Sequence, residues 1–228
     1  MQPYVFPYIG YFQLIQATDA FVFYDDVHFI KKGWINRNQI LLNGEAYKFT
    51  FPLIGASQNK LINEIEVFWE SKFAQKFLDQ LAQSYKNGPN FNAVFSLVEG
   101  IFSQRPETIS QLAGQSIIEI CKYLGLKKQF LWSSELGVPK DLGRAERLIE
   151  ITKQLNSTHY INALNGQELY QKEDFLKQGV QLNFISPIIQ SYAQGDKSMF
   201  IPFLSILDVL IWNHPQEVIA HISAFDLV

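Results

Sequence analysis

The chain has 228 residues, of which 47% are apolar, 14% aromatic and 18% charged, with 19 basic against 22 acidic side chains. That balance excludes a disordered chain, and a net charge of −3 argues against a duplex-nucleic-acid binder, which carries a basic excess or stripe. The single cysteine, Cys121, rules out an intrachain disulfide or a CxxC metal pair, and its place in the apolar pattern SIIEICKYL makes it a core thiol.

The length allows one large domain or two small ones. No apolar run approaches the roughly 18 residues of a membrane span. The opening MQPYVFPYIGYFQLI lacks a basic n-region and a small-residue cleavage site, so it does not read as a signal peptide. The expectation is a cytoplasmic protein without a membrane span.

Pro3, Pro7 and Gly10 punctuate an aromatic opening segment. Residues 11–18 suit a short helix, and 19–24 a strand. Residues 38–50 alternate around Asn43-Gly44, the pattern of a β-hairpin. Alternation over 60–68 predicts another strand. Helical periodicity follows at 69–86, 92–103 and 107–124, the last with Pro106 and Glu107 as first-turn residues. Strands are predicted at 129–134, 159–163 and 180–185. Helices are predicted at 144–155, 168–177, 204–212 and 217–225. Strand–helix alternation at both ends favours an α/β fold with a mainly parallel, Rossmann-like sheet and a helical middle region. The chain reads as one domain over 1–228, with a helical subdomain at 69–124.

The stretch FYDDVHFIKKGWINR, residues 23–37, is the most informative about function. An apolar strand ends there in Asp25 and Asp26, and His28, Lys31, Lys32, Trp34, Asn36 and Arg37 follow. Polar groups at the C-terminal mouth of a buried strand stand where open α/β sheets bind ligands. The alternative is a solvated loop after an edge strand. If the strand persists, alternation sends only one of the two acids into a cleft. A carboxylate there could serve as a general base or hold Mg²⁺ with a phosphate. Lys32 and Arg37 would bind phosphates, and Trp34 would stack on a ring or simply pack.

Other constellations are weaker. Q-P-Y-x-x-P-Y-x-G resembles a phosphate-facing strand-to-helix turn, with Gln2, Tyr4 and Gly10 at its mouth, yet an ordinary tight turn explains it equally well. His159 opens a strand and is followed by Asn162, Glu168 and Tyr170. Ser133, Ser134 and Glu135 with Arg144 and Arg147 form a further phosphate candidate. Asp208, on a strongly apolar helix, needs a partner if it is buried. His214 and His221 have no zinc spacing. No cofactor is implied, and a metal is permitted without being called for.

Together QPYVFPYIGYFQLI, DDVHFIKKGWINRNQI, SQNKLINEIEV, RAERLIEI, YINALNGQELY and FLSILDVLIWN resemble the WbqC-like protein family over nearly the whole chain. One departure concerns the start: family members commonly carry several apolar residues, often ending in His, ahead of Gln2-Pro3, where this sequence has Met1. The resemblance implies a place in O-antigen or other surface-polysaccharide synthesis. It implies transfer of a small acyl or aminoacyl unit, such as glycine, onto an amino sugar or sugar nucleotide. A looser likeness to Rossmann-type nucleotidyltransferases lacks their HxGH pair and supports fold more than activity.

The leading expectation is therefore a transferase acting on a phosphorylated small molecule or sugar nucleotide. Asp25, Asp26 and His159 are its candidate catalytic groups. Gln2, Tyr4, Gly10, Lys32, Trp34, Asn36, Arg37, Asn162 and Glu168 are the candidate substrate contacts. The alternatives are a non-catalytic ligand-binding or scaffold protein of polysaccharide assembly and a nucleotidyltransferase-like enzyme. No nucleic-acid partner is expected, and the aromatic load is compatible with a homo-oligomer.

Overall fold

Two parallel strand pairs carry the α/β character in a computed structural model that describes residues 1–195 and 199–228. In the first, β1 (Ala20–Phe23) lies beside β6 (Gln129–Trp132), with Phe23 opposite Trp132. In the second, β7 (His159–Ala163) lies beside β8 (Gln181–Pro187), and β9 (Phe225–Leu227) adds an antiparallel edge. The two pieces are not hydrogen-bonded to each other. The fold is thus mixed α/β with small sheets, and the single large parallel sheet expected from the alternation is not formed among the described residues.

The hairpin forms where predicted. β2 (Arg37–Leu42) and β3 (Glu45–Thr50) turn on Asn43 and Gly44, both at positive φ as a tight primed turn requires. The strand predicted at 60–68 shrinks to β5 (Glu66–Val67), paired with β4 (Leu53–Ile54). Its first half is claimed by other pairing: Phe29 N–H donates to Lys60 O and Ile62 N–H to Val27 O.

Helices α2 (Phe73–Tyr85), α3 (Phe91–Ser103) and α4 (Ile109–Tyr123) bury one face each. Their apolar residues join those of α1 (Ile9–Gln16), the hairpin, α7 (Ile206–Trp212) and α8 (Pro215–Ile222) in one continuous cluster. Phe6, Phe49, Phe51, Phe77 and Phe102 pack at its centre, with ring centroids 4.6–6.3 Å apart. α4 starts later than predicted. Thr108 is its cap, and its hydroxyl accepts from Gln111 N–H while Gln111 Oε1 accepts from Thr108 N–H. A second, smaller cluster joins α5 (Arg144–Gln154), α6 (Lys172–Lys177) and β8 through Leu148, Phe175 and Phe184. Cys121 is fully buried, and burial pushes its thiol up to about 12, as suits a core residue. Among the described residues, no helix is long and apolar enough to cross a membrane.

Candidate functional site

β1 and β6 end at the same level, so the segments leaving them meet. Tyr24–Asp26 departs from β1, and Ser133–Glu135 forms a single 3-10 turn after β6. Because the strand stops at Phe23, residues 25 and 26 escape its alternation, and both acids turn inward. They are only 3% and 4% exposed. Ser133 Oγ lies between them, 3.1 Å from Asp25 Oδ1 and 2.5 Å from Asp26 Oδ1, while accepting from Asp25 N–H at 3.1 Å. A hydroxyl has one proton, and the shorter contact assigns it to Asp26.

Donors surround Asp25. Ser134 N–H reaches its Oδ1 at 3.1 Å, and Ser134 Oγ and Ser110 Oγ reach Oδ2 at 3.0 and 3.3 Å. Asp26 instead takes a cation, with Arg147 Nη2 2.5 Å from its Oδ2 and the exposed Lys140 Nζ 3.8 Å away. Burial alone would raise the Asp26 pKa. Hydrogen bonds from Arg147 and Ser133, with the charges of Arg147 and Lys140, outweigh it and hold the carboxyl below its ordinary range. The Arg147 guanidinium lies 4.9 Å from the Tyr24 ring centroid. The acid pair therefore ties β1, the 3-10 turn, α4 and α5 into one mouth. Two groups of this cage, Lys140 and Ser134, are exposed.

The rest of the second motif forms a different surface. Trp34 is 41% exposed. The Arg37 guanidinium and Lys48 Nζ lie 5.7 and 5.6 Å from its ring centroid, and Lys31 and Lys32 stand exposed in the turn just before it. Among the described residues, none of these four cations has a carboxylate within 4.0 Å. Arg37 Nε is buried with no hydrogen-bond partner there. Asn36 is half-buried and donates to Phe51 O at 2.8 Å, fixing the chain where it enters β2.

The first motif is strapped into the core. Phe6 adopts a left-handed backbone (φ 43°), its N–H donating to Ser116 Oγ and its carbonyl accepting from Asn38 Nδ2 and Ser205 Oγ. Gly10 is buried, and a Cβ there would overlap the Tyr8 ring, so the α1 N-terminus is closed over by its own tyrosine. Gln2 accepts from Tyr11 OH through its backbone carbonyl, and Tyr4 packs 5.6 Å from the Tyr11 ring.

Within the 159–170 segment, Tyr160 and Tyr170 pack in the small apolar cluster together with Tyr24, the residue before Asp25. α5 starts at the acid pair through Arg147, and the chain returns into β7 only after it ends. His159 therefore stands at the N-terminal end of β7, exposed, with Nε2 2.6 Å from Asn183 Oδ1. Asn162, near the other end of the strand, caps its own chain through Ala163 N–H, and Glu168 is exposed at the end of a 3-10 turn.

Sequence reasoning placed Ser133, Ser134 and Arg147 in a separate constellation, whereas the structure joins them to the acids. Ser110, Lys140, Tyr24 and Lys48 went unnoticed. Only Lys48 had a readable signal. The Asn43-Gly44 turn fixes Arg37 opposite Thr50, which puts Lys48 on the diagonal.

Comparison with known proteins bears on the whole arrangement. The profile of the WbqC-like protein family matches residues 2–220. The chain belongs to the WbqC-like protein family. This WbqC-like chain is also 25% identical, over 210 residues, to the uncharacterised protein Rv1507c of Mycobacterium tuberculosis (strain ATCC 25618 / H37Rv), covering 90% of the chain and 88% of that relative. No solved structure matches it.

Proposed function

We propose that this WbqC-like protein is a transferase of surface-polysaccharide synthesis. It would move a small acyl or aminoacyl unit onto an amino sugar carried by a nucleotide. The observation that carries the reading is the exposed Trp34 with Arg37 and Lys48 against its ring and Lys31 and Lys32 exposed in the preceding turn, none of the four with a carboxylate within 4.0 Å among the described residues. An aromatic face suits a sugar or base ring, and unpaired lysines and an arginine suit a diphosphate. In this reading Asp25 and Asp26 are positioning residues. Each is engaged within the protein, and they hold Ser134 and Lys140 at the mouth where the acceptor would stand.

The test is calorimetric titration with a nucleoside-diphosphate amino sugar, followed by a mass assay for acyl or aminoacyl gain. Trp34→Ala and Arg37→Ala should each weaken binding by about tenfold, near 1.4 kcal/mol, while Lys122→Ala on α4 should not. Absence of binding by any phosphorylated sugar, or full affinity in Trp34→Ala, overturns the reading.

One observation favours a non-catalytic binding or scaffold role. The acids are buried and saturated, so they offer no free carboxylate to a ligand. Binding with no acceptor mass gain from any activated acyl donor would select that role.

A further inference from the structure

We infer that the turn Ile30–Gly33 and the neighbouring Lys60 form a docking surface for an anionic lipid bilayer. The two segments are tied by their backbones. Phe29 N–H donates to Lys60 O at 3.0 Å, Ile62 N–H donates to Val27 O at 3.0 Å, and His28 stands opposite Leu61. Gly33 N–H closes the turn on Ile30 O at 3.1 Å. Lys32 is the third residue of that turn and has φ 62°, a left-handed backbone that turns of this kind ordinarily give to Gly or Asn. A lysine kept there, next to Lys31, holds charge at the tip at a conformational cost, and backbone strain of this kind gathers at functional positions.

Charge and apolar exposure coincide on this face. Lys31, Lys32, Lys48 and Lys60 are exposed, and Arg37 lies against Trp34. Among the described residues, none of these five cations has a carboxylate within 4.0 Å. Glu64, the acid nearest Lys60 in sequence, accepts instead from Leu61 N–H at 2.8 Å. The chain as a whole carries −3, so the positive charge is a property of this face and not of the protein. Ile30 is 50% exposed at the start of the turn, while its neighbour Phe29 is buried and anchors it. A soluble anion gains nothing from an exposed isoleucine. The boundary between headgroups and acyl chains buries such a side chain while its phosphates meet the lysines.

Each lysine close to an anionic leaflet contributes roughly a fivefold gain in affinity, so a few lysines and one isoleucine give reversible, salt-sensitive association. Docking in this way sets the Trp34 surface beside the bilayer. The inference does not rest on the ligand proposed for Trp34, because Ile30 and Lys60 have no part in that reading.

The experiment is sedimentation of the full chain with vesicles of phosphatidylcholine alone and of equal parts phosphatidylcholine and phosphatidylglycerol. The chain should bind the mixed vesicles only, and should release them at about 1 M salt, where the Debye length falls to roughly 3 Å. Lys60→Ser should weaken that binding about fivefold and Ile30→Ser at least about threefold, while Lys122→Ala leaves it unchanged. Without vesicles, both weakened variants should keep native affinity for a nucleoside-diphosphate amino sugar. No binding to the mixed vesicles, equal binding to both kinds, or native binding by Lys60→Ser and Ile30→Ser overturns the inference. So does a matching loss of affinity for the nucleotide sugar, which would assign the turn to the soluble ligand. If no nucleotide sugar binds any form, the reading of Trp34 fails and the vesicle result alone decides the docking surface.

Discussion

Among the described residues Arg147 is the only buried cation on Asp26, and replacing it with methionine keeps most of its apolar volume while leaving the carboxylate without that partner. Breaking one side of a buried pair costs about 3–5 kcal/mol. Ser133 still donates to Asp26, and Lys140 at 3.8 Å adds no more than about 1 kcal/mol because its side chain is 59% exposed and screened. The expected loss for Arg147→Met at pH 7 is therefore near the lower end, about 3 kcal/mol. The pH dependence gives a sharper check. In the native protein Asp26 is held below its ordinary range, so the pair stabilises fully above an unfolded value of about 4 and is lost as pH falls through the folded value. In Arg147→Met, burial acts without its counterion and raises the carboxyl. The deficit should then shrink between pH 7 and pH 5 as the carboxyl takes up a proton. Guanidinium unfolding of the native chain, Arg147→Met, Asp26→Asn and the double variant at both pH values measures this. The Asp26→Asn change should recover much of the loss in the Arg147→Met background. A loss under about 1 kcal/mol, or costs that simply add in the double variant, would refute the reasoning.

Asp208 gives the opposite sign. Burial raises its pKa to about 6, only partly offset by hydrogen bonds from Tyr85, Tyr192 and Gln194, so native stability should fall as pH rises through 6. The difference is at most about 3 kcal/mol. Asp208→Asn should flatten the urea midpoint between pH 4 and 7, and an unchanged slope would show that the group does not titrate there. Gly114→Ala should cost about 1–3 kcal/mol, because a Cβ there overlaps the Trp132 ring, itself packed 4.6 Å from Phe23. Gly100→Ala, with open space around it on α3, should gain about 0.5–1 kcal/mol by helix propensity. Thermal unfolding of the two variants checks both signs at once.

Local pattern sufficed where neighbours in sequence are also partners in space. The Asn43-Gly44 turn fixed the hairpin and its register, and 3.6-residue periodicity found α2, α3, α4, α5 and α7 to within a few residues. Glu168 was assigned to a helix that instead starts at Lys172 after a 3-10 turn, a boundary that periodicity resolves poorly. Phe225, the first residue of β9, was read as the end of a helix, and the strand itself was not predicted. Its pairing with β8 depends on a strand some 40 positions away, and no local signal announces that.

The candidate site divides along the same line. The sequence by itself determined that acids, cations and a tryptophan lie within one short stretch, and that family membership is carried by the motifs around them. Only the tertiary structure decided that this stretch splits. Asp25 and Asp26 turn in to Ser110, Ser133, Ser134 and Arg147, residues 85 to 121 positions distant, while Trp34 and its lysines face outward. The physical reason is desolvation. Two buried carboxylates must find donors wherever the fold can supply them, and those donors come from strands and helices whose meeting no local periodicity encodes.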